Sequence, residues 1–233
     1  MRLDKFVCKS TDLNKGQAQQ AIDNGDILVN GKVCIESGIQ VHENNIITLK
    51  GNRLVARPFR YFLMHKPSNT ICSNIDEVYP SALNLLDVEN VSELHITGRL
   101  DADTTGLILI TDDGRWTFNI TSPSSGCKKV YRVGLSRDIN NDVIERFKKG
   151  IQLQGEEQLT LPALIEVISS KEVLLTLTEG KFHQVKRMFA AVGNRVMSLH
   201  REQIGEVKLD VQEASWRTLT LAEIQSFSVA CKG

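Results

Sequence analysis

Leu94-His95-Ile96-Thr97-Gly98-Arg99-Leu100-Asp101-Ala102-Asp103-Thr104-Thr105-Gly106-Leu107-Ile108-Leu109-Ile110-Thr111 contains two strand candidates, 94–97 and 107–111, joined by a polar loop with no intervening helix. Further strand candidates are 61–64, 129–135, 163–168 and 173–178. Helix candidates are 141–149 with Gly150 just past its end, 183–192 with Gly193, and 221–228 with Thr220 as N-cap. Strands that follow one another without helices between them predict an α+β fold. Its sheet should be mixed and largely antiparallel rather than doubly wound and parallel.

Upstream of this region, residues 1–50 read as a small unit with helices first and strands after. Leu3, Phe6 and Val7 begin a helical pattern, and Asn14 or Lys15 opens a second helix that stops at Gly25. Ile27-Leu28-Val29 then runs into Asn30-Gly31, a strong two-residue hairpin signal because a type I′ turn needs positive φ at both positions. Residues 51–59, with Gly, Asn, Arg and Pro and no clear period, are expected to be a linker. Residues 60–233 would form the second, larger domain.

The 233 residues carry 28 basic and 28 acidic side chains, with 41% apolar residues. These values are ordinary for a globular chain and exclude disorder and collagen-like repeats. The longest aliphatic run, Leu107 to Ile110, is far short of the ~20 residues that span a bilayer. The first residues mix charges and lack an apolar core, so no secretory signal is expected. Cysteines 8, 34, 72, 127 and 231 are odd in number and contain no C-x-x-C, which argues against a disulfide framework or a structural zinc site. A cytoplasmic location without a membrane partner is the expectation.

Net charge is zero, yet its distribution is uneven. Residues 1–60 hold 9 basic against 6 acidic side chains, which leaves 19 against 22 for the rest. Three stretches contain cations and no acid: one with Arg53, Arg57, Arg60 and Lys66, one with Arg115, Lys128, Lys129, Arg132 and Arg137, and one with Lys181, Lys186, Arg187, Arg195 and Arg201. Brought together in space they would make a phosphate-binding surface; kept apart they are ordinary solvated faces.

No dinucleotide, Walker, metalloprotease or nucleophile-elbow motif is present. Two segments are dense in polar residues and glycine. In 98–107, Asp101 and Asp103 sit two apart in a glycine-flanked loop, either as local turn acceptors or as carboxylates displayed for catalysis or metal binding. In 178–189 a strand ends at Gly180 and a helix starts. Val185, Met188, Phe189 and Val192 form its apolar stripe, with Lys186 and Arg187 off it. Tyr131 shares a strand face with Val133 and Leu135, which by itself describes core.

Taken together, these residues resemble the pseudouridine synthases related to the ribosomal small-subunit enzyme. Gly98-Arg99-Leu100-Asp101-x-x-Thr104-Thr105-Gly106-Leu107 resembles the family's catalytic motif, and His65-Lys66-Pro67 its N-K-P segment. Lys129-Val130-Tyr131 resembles its K-x-Y segment, and Glu179-Gly180-Lys181-x-x-Gln184-Val185-Lys186-Arg187-Met188 its third motif. Residues from Arg2-Leu3-Asp4-Lys5 to Val29-Asn30-Gly31 are similar to an S4 RNA-binding domain. Among subfamilies, 183–194 and Leu199-His200-Arg201-Glu202 resemble most the enzymes that act on uridine 516 of 16S ribosomal RNA.

The resemblance implies that Asp101 is the catalytic carboxylate, acting as nucleophile or by proton abstraction. Tyr131 would stack on the uracil. Lys186, where the family more often has Arg, would pair with Asp101. RNA contacts would fall to Arg99, Lys66, Lys129, Arg187, Arg2, Lys5, Lys15 and Arg60. Uridine isomerisation breaks N1–C1′ and joins C5–C1′ without net redox change or hydrolysis, so neither a cofactor nor a metal is expected. The partner would be ribosomal RNA, either 16S rRNA or the assembling small subunit, and the enzyme a monomer. Two alternatives stay open on the residues alone: a non-catalytic RNA-binding assembly protein, and a Mg²⁺-dependent phosphodiesterase using Asp101 and Asp103.

Overall fold

The computed structural model of the chain describes residues 1–227. It divides into two compact units, Met1–Pro58 and Phe59–Gly233.

In the first unit, α1 (Leu3–Ser10) and α2 (Lys15–Asp23) precede β1 (Ile27–Val29), β2 (Lys32–Val33), β3 (Ile47–Leu49) and β4 (Asn52–Arg53). Asn14 opens α2 through a capping box: its side chain accepts from the Gln17 N–H, and the Gln17 side chain accepts from the Asn14 N–H. The sheet order β2-β1-β3-β4 is antiparallel throughout. Leu3, Val7, Ala18, Ile22, Ile27, Val41 and Ile47 fill the core between helices and sheet. The expected linker at 51–59 is corrected here. It supplies β4, and Arg57 donates to the carbonyls of Cys8 at 3.0 Å and Thr11 at 3.2 Å. A two-residue strand closed by Lys50-Gly51, both at positive φ, has no periodicity to read.

The second unit begins with β5 (Tyr61–Lys66), β6 (His95–Thr97), β7 (Thr105–Thr111), α3 (Gly114–Thr121), β8 (Lys129–Leu135) and α4 (Asn141–Lys149). It continues with β9 (Leu164–Ser169), β10 (Glu172–Leu177), α5 (Gln184–Ala191), β11 (Val196–Ile204), β12 (Val207–Lys208), β13 (Trp216–Thr218) and α6 (Leu221–Ser226). The last expected helix position, Ser228, lies outside the described residues, as does Cys231.

The strands form one mixed α+β sheet in the order β13-β5-β7-β11-β8-β10-β9, with β6 beside β7 and β12 folded against β11. The β7–β11 pairing is parallel and the other pairings are antiparallel. Strand β7 is the branch point. Along one edge it pairs with β5; the other carries β11 at Thr105 and Gly106 and β6 at residues 109–111. It is buried on both faces: Ile108 and Ile110 enter one core with Tyr131, Val133 and Phe147, while Leu107 and Leu109 enter another with Trp116 and Ile204. That double burial is why 107–110 is aliphatic without alternation.

Gly106 sits where β7 meets β11. Its φ is +113°, and a Cβ there would overlap the backbone oxygen and nitrogen of Arg201. Gly106→Ala is expected to destabilise the unit by roughly 3 kcal/mol, because backbone strain and a main-chain clash add. The midpoint of urea unfolding measures it, and an unchanged midpoint would refute the close approach.

Candidate active site

The loop between β6 and β7 is held from below by buried cations. Arg201, 2% exposed, donates from Nε to the Leu107 carbonyl at 2.7 Å and from Nη2 to the Gly98 carbonyl at 2.9 Å. Its Nη1 lies 3.4 Å from the Tyr131 hydroxyl. Lys66 is fully buried at the end of β5, and its Nζ donates to the carbonyls of Pro67 and Thr70 at 2.8 Å and of Ala102 at 3.4 Å. Burial pushes the Lys66 ammonium below its ordinary pKa, against the pull of several charges that include Asp103 and Asp101. Leu100 points into the core, its N–H on the Cys72 sulfur at 3.3 Å. The turn closes with the Thr104 N–H on the Asp101 carbonyl. With both flanks fixed, the Asp101 side chain is left outward and 28% exposed.

Helix α5 supplies the group that meets it. The segment before it is organised by Glu179, whose Oε1 accepts from the Leu161 N–H and from Gln184 Nε2, both at 2.8 Å. Gln184 Oε1 in turn accepts the Lys181 N–H. His183 begins the helix in the left-handed region, φ 47°, strain that a non-glycine residue bears only where its surroundings impose it. One turn of helix aims Lys186 at the loop. Its Nζ lies 2.9 Å from Asp101 Oδ2 and 2.6 Å from Asp103 Oδ1. His183 Nε2 approaches Asp101 Oδ1 at 3.3 Å. Burial works against the Lys186 charge, yet the hydrogen bonds to Asp103 and Asp101 outweigh it and raise the pKa. The Lys186 hydrogen bond holds the Asp103 carboxyl below its ordinary value.

This geometry joins Asp101 and Lys186, the pairing that the family resemblance implies, and brings Asp103 onto the same ammonium. Tyr131 is 9% exposed, in the core with Leu100, Leu175 and Val185; its hydroxyl and its ring face, 5.9 Å from the guanidinium carbon, both meet the Arg201 that holds the loop. Several expected RNA contacts are corrected. Lys66 is buried, and so is Lys129, whose Nζ turns to the Ile120 carbonyl and whose pKa burial lowers. Arg60 clamps Asp112, Glu93 and the carbonyls of Glu89 and Asn90. Arg187, about 100° round the helix from Lys186, pairs with Glu156 at 3.1 Å and donates to the Gln154 and Phe182 carbonyls. Arg2 is bonded to Asp4 at 2.7 Å. Arg99, Lys5 and Lys15 are exposed. The three acid-free stretches are therefore largely consumed within the fold, Arg132 joining Glu172 and Glu202 as a further case.

Comparison with known proteins matches residues 60–191 to the family model of RNA pseudouridylate synthases and residues 1–47 to the S4 domain. The chain belongs to the RNA pseudouridylate synthase family. It is 47% identical over 228 residues to the ribosomal small subunit pseudouridine synthase A of Vibrio cholerae, covering 97% of this chain and 99% of that one. The enzyme of the same name from Escherichia coli K12 is 43% identical over 229 residues, with the same coverage. A solved pseudouridylate synthase superposes with a TM-score of 0.72 at 39% identity, covering 97% of this chain and 99% of that one. The protein is thus a pseudouridine synthase, an isomerase with an S4 domain at its N-terminal end. In this family member, His183 and Arg201 were the site residues that sequence reasoning missed. Arg201 stands among the acid-free cations and in Leu199-His200-Arg201-Glu202, and His183 in the 183–194 segment, but neither setting gives it a partner, and a left-handed helix start carries no side-chain signature.

Proposed function

We propose that the enzyme converts a uridine of small-subunit ribosomal RNA to pseudouridine, uridine 516 of 16S rRNA, with Asp101 as the catalytic carboxylate. The observation that carries the mechanism is the Asp101–Lys186 pair on a loop immobilised by Arg201 and Lys66. Attack on C1′ and removal of a sugar proton both need a carboxylate at the sugar, and the Lys186 ammonium pairs with Asp101 at 2.9 Å. After N1–C1′ cleavage the uracil turns, C5 bonds to C1′, the C5 proton leaves and N1 ends protonated. The base must leave its stack to reach the carboxylate. Tyr131 would form the floor of the pocket through its ring and its hydroxyl on Arg201. The substrate reading is supported by the near-full-length relatives named for the small ribosomal subunit. It includes a cytoplasmic monomer.

Release of tritium from C5-labelled uridine in a 16S rRNA transcript tests this reading, with label expected only from position 516. We also assign residues 1–58 to RNA capture, on the strength of their self-contained core and their exposed Lys5 and Lys15. Deleting them is expected to raise the RNA concentration for half-maximal rate by about a hundredfold, with the saturated rate nearly unchanged. A collapse of the saturated rate at unaltered RNA affinity would contradict a separable module.

A further inference from the structure

We propose that Phe182, backed by His183, is a prebuilt stacking platform for the nucleobase next to the target uridine. The inference rests on the RNA substrate reading. Phe182 is 75% exposed, a large aromatic ring left in water beside the catalytic loop. It is stacked on the His183 imidazole with ring centroids 3.8 Å apart and planes 22° from parallel. The Nε2 edge of that imidazole reaches the carboxylate, lying 3.3 Å from Asp101 Oδ1. The two rings therefore form a short stack, anchored at one end on the catalytic group and open to solvent at the other.

Its direction is fixed from behind. The Phe182 carbonyl accepts from Arg187 Nη1 at 3.2 Å, and that guanidinium is held by Glu156 and the Gln154 carbonyl. The left-handed backbone of His183 sets the angle at which the pair leaves the helix. An exposed planar ring held this way is of little use to the fold, and its chemistry is that of a base-stacking surface. Flipping a uridine into the pocket strips its neighbour of a stacking partner. Phe182 lies one ring beyond the residue that touches Asp101, where it replaces that partner.

The test uses the full-length enzyme and a 16S rRNA fragment carrying the target uridine. The fragment is prepared intact, with the 5′ neighbour abasic, and with the 3′ neighbour abasic. Phe182→Ala is expected to weaken binding of the intact fragment about tenfold and leave the saturated rate within about twofold. Phe182→Leu should behave like alanine, whereas Phe182→Trp should bind like wild type. Removing one of the two neighbouring bases should weaken wild-type binding about tenfold and Phe182→Ala binding no further, the signature of a coupled pair. Fully additive losses at both neighbours, or unchanged binding by Phe182→Ala, would overturn the platform. Binding is read whether or not the fragment is isomerised. Absence of turnover by wild type would therefore count against the substrate reading, while the coupling still decides the platform.

Discussion

Asp101→Asn is expected to fold as wild type and to lose more than about a thousandfold in pseudouridine formation. The substitution keeps size and shape and removes the charge that either chemical route requires. Folding should survive because the loop is held by backbone contacts from Arg201, Lys66 and the Thr104 N–H rather than by the carboxylate. Lys186 is not stranded either, since Asp103 Oδ1 remains 2.6 Å away. RNA affinity should therefore stay within a few-fold of wild type, and the loss should appear in the saturated rate. A single-turnover assay with RNA in excess of its dissociation constant measures it. Retention of a tenth of the wild-type rate would remove Asp101 from the chemistry.

The second large effect is expected at Lys186. Deleting its ammonium by Lys186→Ala leaves Asp101 and Asp103 facing each other without the cation that now bridges them. The Asp103 carboxyl, which the Lys186 hydrogen bond now holds below its ordinary value, becomes harder to ionise once the cation is gone. With a carboxyl of this loop then needing higher pH to ionise, the acid limb of the rate profile should move to higher pH. The rate should fall most in mildly acidic buffer. Because Lys186 itself is raised above its ordinary value, its own deprotonation contributes nothing to the profile near neutrality. Lys186→Arg should restore much of the rate, since a guanidinium keeps the charge. Arg187→Ala serves as the control for the saturated rate and the acid limb alone, as its partners are Glu156, Gln154 and Phe182 rather than the loop. An unshifted acid limb and unchanged saturated rate in Lys186→Ala would show that the lysine only contacts RNA.

Strand β8 and helix α4 stand in the structure where alternation and capping put them, at Lys129–Leu135 and Asn141–Lys149. In both, one face is buried and the other less so, half-buried in β8 and mostly exposed in α4, so the periodicity survives in the residues. Strand β11 was hidden because a buried position carries a guanidinium: Arg201 stands where an apolar residue would, and alternation breaks. Helix α3 was hidden behind Asp112-Asp113-Gly114, which looks like a turn. Asp113 is in fact its N-cap, accepting from the Arg115 and Trp116 N–H groups, while Asp112 takes Arg60.

The charged residues show the same limit in the opposite direction. Lys66 and Arg201 read as surface cations, but their partners are backbone carbonyls brought together by tertiary structure, which no local pattern announces. Asp101 and Lys186 could be paired in advance only through the family's motifs, because 85 residues separate them. Helical spacing contributed the smaller fact that Lys186 and Arg187 point different ways.

The central claim is that this chain makes a pseudouridine in small-subunit ribosomal RNA with Asp101. Pseudouridine should therefore be mapped across 16S rRNA from cells lacking the protein, and from the same cells given back the wild-type chain or Asp101→Asn. One site, uridine 516, is expected to be unmodified in the deletion, restored by the wild-type chain and still unmodified with Asp101→Asn. Full modification of uridine 516 in the deletion, or its restoration by Asp101→Asn, would contradict the account.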